Sequence, residues 1–266
     1  MPRTHSRTRT LALALVLALT LLSALARSAC NVPRVAIDED QEVIEVDSRN
    51  PATGPVVFVM GKDRNAGLRR LVERGVLLDS HGDVEVILSS SNSYSHGTRR
   101  MSLRDYIEDI VDVDERLAGR GGLQSNESFY MFGHNDGREP WKSLVALNYA
   151  RPPCGPTCSG RDATPTFGIG SPNSGTSFHF HGPAFSEAII GSKRWFVYPA
   201  HLKPDMTQLA NVSMWRWAEE ILPSLPHRDE IYDCTIFPGE ALWFPTQLYH
   251  ATLNLAPFNV FMSLFV

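Results

Sequence analysis

Short apolar runs separated by turns fill the second half of the chain, and they limit its fold more than any other feature. The turns carry Gly or Pro, as at 171–175, Gly191 and 238–239. Short strands at such spacing are typical of a barrel or jelly roll. One helix, predicted near 211–222, interrupts the strands. We predict eight strands, near 166–170, 176–180, 185–190, 194–198, 234–237, 241–244, 249–254 and 260–265.

The first half of the chain has a mixed pattern. Amphipathic periodicity predicts helices over 65–78, where Gly75 would end the helix, and over 102–110, where Ser102 would cap it. The loop 151–165 is rich in Pro, Gly and Cys. Short apolar runs predict strands at 55–60, 84–88 and 128–132. Three histidines lie in polar surroundings and are predicted to be on the surface: His81, His96 and His134.

Two histidines one residue apart form the most distinctive local pattern. His179 and His181 lie in a predicted strand, so both side chains point to one face and that of Phe180 to the other. His250 follows in a similar strand, and Lys193 interrupts an apolar one. These residues predict a metal-and-anion pocket. In the alternative for the histidines, His181 points out of the pocket and the site is empty. In the alternative for Lys193, its stem packs while its amine reaches water.

Residues 1–26 have the pattern of a secretory signal peptide. Arginines precede an apolar run over 11–22, and small residues suit cleavage after Ala26; the alternative is an uncleaved anchor. No later segment is long and apolar enough to span a membrane. Loss of Arg3, Arg7 and Arg9 would change the net charge from −4 to −7. This acidity argues against nucleic-acid binding.

The cysteines and sequons fit an oxidising compartment. Cys30, Cys154, Cys158 and Cys234 allow three disulfide pairings, which the sequence leaves open. The spacing of Cys154 and Cys158 favours a local disulfide over a zinc site. Asn-X-Ser triplets predict glycosylation, and the C-terminus carries no KDEL-like signal. The predicted glycosylation sites are Asn126 and Asn211.

Two blocks, HFH…GSKRWFVYP and FPGEALWFP…YHATLNL, together resemble a JmjC domain. The resemblance implies a mainly β fold with flanking helices, the double-stranded β-helix of the jelly-roll, cupin-like type. It places an N-terminal segment at 27–54 and a single domain at 55–266. The domain would comprise a mixed part, 55–165, and a barrel core, 166–266.

The same resemblance implies iron(II) and 2-oxoglutarate as cofactors. Its pattern makes His179 and His250 iron ligands, and Lys193 and Thr176 the residues that bind 2-oxoglutarate. His181 stands where the family pattern has a carboxylate. Three neutral imidazoles would leave a metal with its full double positive charge, and such a donor set also suits zinc.

Two functional hypotheses follow. The first is a regulatory or interaction protein of the endoplasmic reticulum lumen with little oxygenase activity, acting on a lumenal partner; secretion is the alternative location. The resemblance extends this hypothesis to signalling and metabolic regulation. The second is an atypical iron- and 2-oxoglutarate-dependent hydroxylase of secretory-pathway proteins. A nuclear histone demethylase is disfavoured by the signal peptide, the sequons and the acidic charge.

Overall fold

The structure is a computed structural model that describes residues 30–38, 44–47, 49–90, 97–118, 128–159, 163–209 and 212–266. The predicted signal peptide, both sequon asparagines Asn126 and Asn211, and His96 lie outside these residues. Among the described residues, no helix has the length and apolar character needed to cross a membrane.

The described residues form two β-sheets. The larger sheet has nine strands in the order β1-β2-β10-β7-β12-β6-β5-β3-β4, and the smaller has the order β11-β8-β9. All neighbours pair antiparallel except β1 and β2. The strands are β1 (Arg34–Ala36), β2 (Val56–Val59), β3 (Glu85–Ser90), β4 (Thr98–Ser102), β5 (Phe129–Phe132), β6 (Thr164–Gly170), β7 (Ala184–Ile190), β8 (Lys193–Val197), β9 (Tyr232–Ile236), β10 (Glu240–Phe244), β11 (His250–Asn254) and β12 (Asn259–Phe265).

Helices flank the sheets. Two of them contain π-helical turns. Helix α3 begins at Leu103–Asp105 and continues to 118. Helix α7 begins at Met214–Arg216 and continues through a 3-10 turn to 224. The Ser102 hydroxyl caps α3 as predicted, accepting a bond from the Asp105 N–H at 3.0 Å. The others are α1 (Ala66–Leu71), α2 (Arg74–His81), α4 (Trp141–Asn148), α5 (Pro156–Ser159) and α6 (Met206–Leu209).

Apolar side chains fill three layers. Between the sheets, Leu242 and Phe244 of β10 meet Trp195 of β8 and Ile236 of β9. Helices α1–α4 pack on the outer face of the large sheet, and α7 packs on the outer face of the small one. The predicted mainly β fold with flanking helices is confirmed, and the inner face of the two sheets is where the predicted site residues point.

Several predicted elements differ in detail. The helix predicted over 65–78 is two helices, and Gly75 lies inside the second of them. The segment 176–180 is no regular strand, although it bonds β11 through a bridge between His179 and His250 and through the Thr252 N–H, which donates to the Thr176 carbonyl. The predicted loop 151–165 contains a short helix and the start of β6. The short strands β1 and β4 were not predicted, because both consist largely of exposed residues with no apolar run.

Two disulfides are present among the described cysteines. Cys154 pairs with Cys158 within a loop, whereas Cys30 pairs with Cys234 of β9, 204 residues away. Beside the long-range disulfide, the Asn31 N–H donates to the Asp233 carbonyl at 3.2 Å, and Arg34 donates to the Thr235 carbonyl at 2.8 Å. The N-terminal segment therefore joins β9 of the small sheet to the edge of the large sheet, where β1 pairs with β2.

We predict that the two disulfides contribute unequally to stability. Loop-closure entropy assigns about 5 kcal/mol to a crosslink over roughly 200 residues and about 2 kcal/mol to one over roughly five. The double variant Cys30→Ser/Cys234→Ser should therefore lose more free energy of unfolding than Cys154→Ser/Cys158→Ser, measured by denaturant titration. Equal losses for the two double variants would contradict this prediction.

Candidate metal centre

A pair of backbone hydrogen bonds sets two of the histidines opposite each other. The His179 N–H donates to the His250 carbonyl at 3.1 Å, and the His250 N–H donates to the His179 carbonyl at 2.9 Å. Residues directly opposite in an antiparallel pair present their side chains on one face. The two imidazole rings accordingly lie with centroids 4.3 Å apart inside the barrel.

His181 joins this pair from the same face of the 174–181 segment. Its Nε2 lies 3.1 Å from the Nε2 of His250, and its ring centroid lies 5.4 Å from that of His179. One ligand atom from each imidazole lies within 4.8 Å of the others, and this is the one such potential metal-binding group among the described residues. The structure thus brings together all three histidines for which we predicted metal binding.

The tautomers of the three imidazoles follow from their backbone contacts. Nδ1 of His179 lies 2.8 Å from the Ser177 carbonyl, and Nδ1 of His250 lies 2.8 Å from the Leu248 carbonyl. His181 makes the same kind of contact with the carbonyl of the next residue at 2.6 Å. A carbonyl only accepts, so each Nδ1 must carry the proton and donate it. Each neutral ring then directs an Nε2 lone pair to the cluster.

Burial keeps these rings in the form that binds metal. Desolvation lowers the pKa of His179 to about 4 and lowers the pKa of His181. Desolvation, reinforced by the two neighbouring imidazoles, holds the pKa of His250 well below its usual value. Neutral imidazole is the ligating form. Two Nε2 lone pairs 3.1 Å apart repel each other, and a cation bound between them removes that repulsion. The donor set therefore fits a divalent metal ion.

Aromatic rings wall the imidazole cluster. The Phe244 ring lies 4.4 Å from that of His250, and the Phe265 ring lies 4.9 Å from that of His181. Trp195 lies 5.8 Å from His250 and lines the same small cavity, which measures about 70 Å³. These rings shield the imidazoles from water, His250 almost completely and the half-buried His179 and His181 in part, and this desolvation lowers the histidine pKa values.

Lys193 lies in the same cavity with its amine buried. The side chain is 4% exposed, so the alternative in which its amine reaches water is wrong. Its Nζ lies 3.4 Å from Oδ1 of Asn254, directly across the strand pair, and 3.6 Å from the centroid of the Phe261 ring. Desolvation lowers the pKa of Lys193 to about 7.

Thr176 also lines the cavity, close to the cluster. Its hydroxyl bonds the Tyr130 hydroxyl at 3.3 Å, and its backbone N–H donates to the Thr252 hydroxyl at 3.1 Å. All five residues for which we predicted metal or co-substrate contacts therefore line one cavity: Thr176, His179, His181, Lys193 and His250. Binding of a metal or an anion by them stays a prediction.

No described carboxylate joins the three imidazoles. The buried carboxylate of Glu187 in β7 accepts hydrogen bonds away from the cluster. The donors are Arg64 at 2.9 Å, Asn65 at 3.1 Å and the Tyr149 hydroxyl at 2.6 Å. Glu187 is therefore committed to linking β7 to the helices. Among the described residues the candidate donor set is nitrogen alone.

The fold and the imidazole cluster together define a class of protein, the cupin-like double-stranded β-helix with a metal-type site in its interior. Comparison with known proteins narrows this class. No family model matches the chain. It is 37% identical over 210 residues to human JmjC domain-containing protein 8, covering 79% of this chain and 75% of that protein. The mouse protein of the same name is 38% identical over 210 residues, with 79% and 74% covered.

A third relative is more distant. A protein of Arabidopsis thaliana named as a lysine-specific demethylase is 31% identical over 104 residues, or 34% of this chain and 11% of that protein. The long matches at this identity establish the family, and the chain belongs to the JmjC domain family. The resemblance inferred from the two sequence blocks is thereby confirmed.

Sequence reasoning missed part of the cavity. Phe261, Phe132 and Asn254 all approach Lys193 or line its surroundings. The alternation of β12 offered a signal, since residues 261, 263 and 265 share one face. That signal required the register of β12 against β6, which a single sequence does not show. Trp195 also lines the cavity.

We predict that metal affinity depends on the distal histidine. Loss of a hydrogen bond behind a ligand typically costs about 10–100-fold in metal affinity, and loss of a ligand should cost at least as much. His250→Ala should therefore bind zinc more than about 100-fold more weakly than the wild type by competition with a chromogenic chelator. His201→Ala, an exposed histidine paired with Glu230, is the matched control and should bind as the wild type does. Unchanged affinity in His250→Ala would rule out this site.

Proposed function

We propose that the chain is a JmjC-fold regulatory or interaction protein of the endoplasmic reticulum lumen that holds a divalent metal and has little or no oxygenase activity. One observation carries the proposal: His181, which replaces the family carboxylate, points into the cluster with its Nε2 at 3.1 Å from that of His250. The imidazole therefore occupies the position of the missing ligand, and the site keeps metal-binding character while its charge differs from the family pattern.

The charge difference is what argues against oxygenase turnover. A carboxylate would neutralise one of the two positive charges of the metal, whereas three neutral imidazoles neutralise none. Because ligand charge and type set both metal preference and redox behaviour, an all-imidazole site is expected to differ in oxygen reactivity. Three histidines with an open position are a common zinc donor set. Zinc would supply a fixed positive charge for a small ligand, and we propose it as the resident metal.

The proposed compartment is supported by the disulfides and by the sequence. Disulfides persist in oxidising compartments and are rare in the cytosol. The signal-peptide pattern of residues 1–26 and the two Asn-X-Ser triplets point to the secretory pathway. A lumenal protein partner is the binding partner that this location favours. Signalling and metabolic regulation remain the wider roles that we propose for such a partner complex.

A second candidate function is an atypical iron- and 2-oxoglutarate-dependent hydroxylase of secretory-pathway proteins. The observation in its favour is that the other family positions are intact, with His179 and His250 adjacent and Lys193 on the same inner face. This function requires the three imidazoles to hold iron(II) and requires the cavity to admit 2-oxoglutarate.

Succinate release separates the two functions. We predict that the protein, expressed as the full chain in a eukaryotic secretory host, releases no more succinate from 2-oxoglutarate than His179→Ala does, in air with iron(II) and ascorbate. The physical reason is the missing ligand carboxylate. Release in the wild type that disappears in His179→Ala would establish the hydroxylase instead. Metal analysis of both proteins controls for loading.

The proposed location in the endoplasmic reticulum leads to a separate prediction. Glycans at Asn126 and Asn211 should be of the high-mannose type if the protein stays in the endoplasmic reticulum, so endoglycosidase H should increase its gel mobility. Asn126→Gln/Asn211→Gln should migrate like the digested protein and resist further change. Glycosidase-resistant protein accumulating in the medium would indicate secretion, and absence of any glycan would argue against entry into this pathway.

A further inference from the structure

The size of the cavity beside the histidines is the starting point. It measures about 70 Å³. Pockets for cofactors and drug-sized ligands usually have about 300–1,000 Å³. A five-carbon dicarboxylate such as 2-oxoglutarate does not fit the residues as they are arranged.

Phe261 fills the space that a larger ligand would need. It is 3% exposed, and it lies on the inner face of β12 directly opposite Gly168 of β6. A Cβ at position 168 would overlap the Phe261 ring, so the ring is seated against bare backbone. Phe132 of β5, which is also opposite Gly168, packs on Phe261 with ring centroids 5.5 Å apart. Glycine in β6 thus lets two rings fill the barrel interior.

The same ring covers the amine that would bind the co-substrate. The Phe261 centroid lies 3.6 Å from Nζ of Lys193, a cation–π distance. Asn254 contacts the amine from the paired strand. A carboxylate of a bound dicarboxylate would have to displace the ring from its seat on Gly168. The arrangement restricts approach to Lys193 from the cavity to small ligands.

The remaining polar groups of the cavity still favour an anion. The Trp195 indole N–H is buried and finds no hydrogen-bond partner among the described residues, and Trp195 lines the cavity. A buried donor without a partner costs roughly 1–3 kcal/mol, so a small acceptor in reach of it is favoured. Lys193 and the hydroxyl of Thr252 line the same space. The cavity therefore brings hydrogen-bond donors, the Lys193 amine and the imidazole cluster together in a space only a few atoms wide.

We propose that Phe261 limits this site to small monovalent oxyanions, of the size of formate or bicarbonate, and excludes 2-oxoglutarate. The proposal rests on the proposed function, since the oxyanion would lie beside the metal held by the three histidines. It adds the class of ligand and the residue that determines it. Exclusion of the co-substrate is then a property of β12 and β6, separate from the substitution at His181.

The test is calorimetric titration of the full-chain protein, purified from a secretory host and loaded with zinc, against formate, bicarbonate, succinate and 2-oxoglutarate. The wild type should bind the first two and neither dicarboxylate. Phe261→Ala should bind 2-oxoglutarate at least tenfold more tightly than the wild type. Phe258→Ala, which removes a ring packed on the outer core instead of the cavity, is the matched control and should keep the wild-type preference.

Further variants keep the test decisive. Phe261→Leu makes a smaller opening and should retain the fold if the alanine variant does not; it should bind succinate. Lys193→Met in the Phe261→Ala background should abolish dicarboxylate binding. Binding of 2-oxoglutarate by the wild type, an unchanged ligand preference in folded Phe261 variants, or binding of no anion by the wild type would each overturn the proposal. Failure of zinc loading would instead count against the proposed metal site. The titration with 2-oxoglutarate would then be repeated on metal-free wild type and metal-free Phe261→Ala, and equal binding by the two would overturn the role of Phe261.

Discussion

The pairing of β11 on both of its edges is the interaction on which the site depends. On one edge β11 pairs with β8, which places Asn254 opposite Lys193. On the other edge it bonds the irregular 174–181 segment, where the N–H of Thr252 donates to the Thr176 carbonyl at 3.0 Å and His250 exchanges two bonds with His179. A single strand thus sets the separation of the amine from the imidazoles, and an altered register would move every inward side chain to the other face.

The inner face of the barrel has to serve as core and as site at once. Phe244 and Trp195 belong to the apolar cluster between the sheets, and the same rings wall the imidazoles. Desolvation by this wall lowers the pKa values of the histidines and of Lys193. Neutral imidazoles are good ligands, so burial favours metal binding. The lowered pKa of Lys193 leaves its amine only partly protonated, which makes it a weaker partner for a carboxylate. The packing that stabilises the domain therefore favours metal binding by the histidines and weakens carboxylate binding by Lys193.

Much of this arrangement could be predicted from the sequence. The spacing of the short strands and the resemblance of the two sequence blocks predicted the fold, and the alternation around His179 and His181 predicted that their imidazoles share one face. The resemblance also implied that His250 joins them. The closure of the cavity could not be predicted, because it depends on which residues face Gly168 across two strand pairs. Register is a property of the assembled sheet. The spacing favoured the local disulfide between Cys154 and Cys158, whereas the pairing of Cys30 with Cys234 follows only from the fold, which brings Cys30 beside β9.

The three imidazoles and the rings that close the cavity lie on different strands, so one group can change without the other. The imidazoles come from the 174–181 segment and β11 and are fixed by local carbonyls such as that of Ser177. The closing rings come from β5 and β12 and are seated on Gly168 of β6. A change on β12 can therefore reshape the ligand space while every Nδ1 contact stays in place. The histidine cluster and the packed rings of Phe132 and Phe261 therefore lie on different strands around one cavity, and the packing of one group does not depend on the contacts that orient the other.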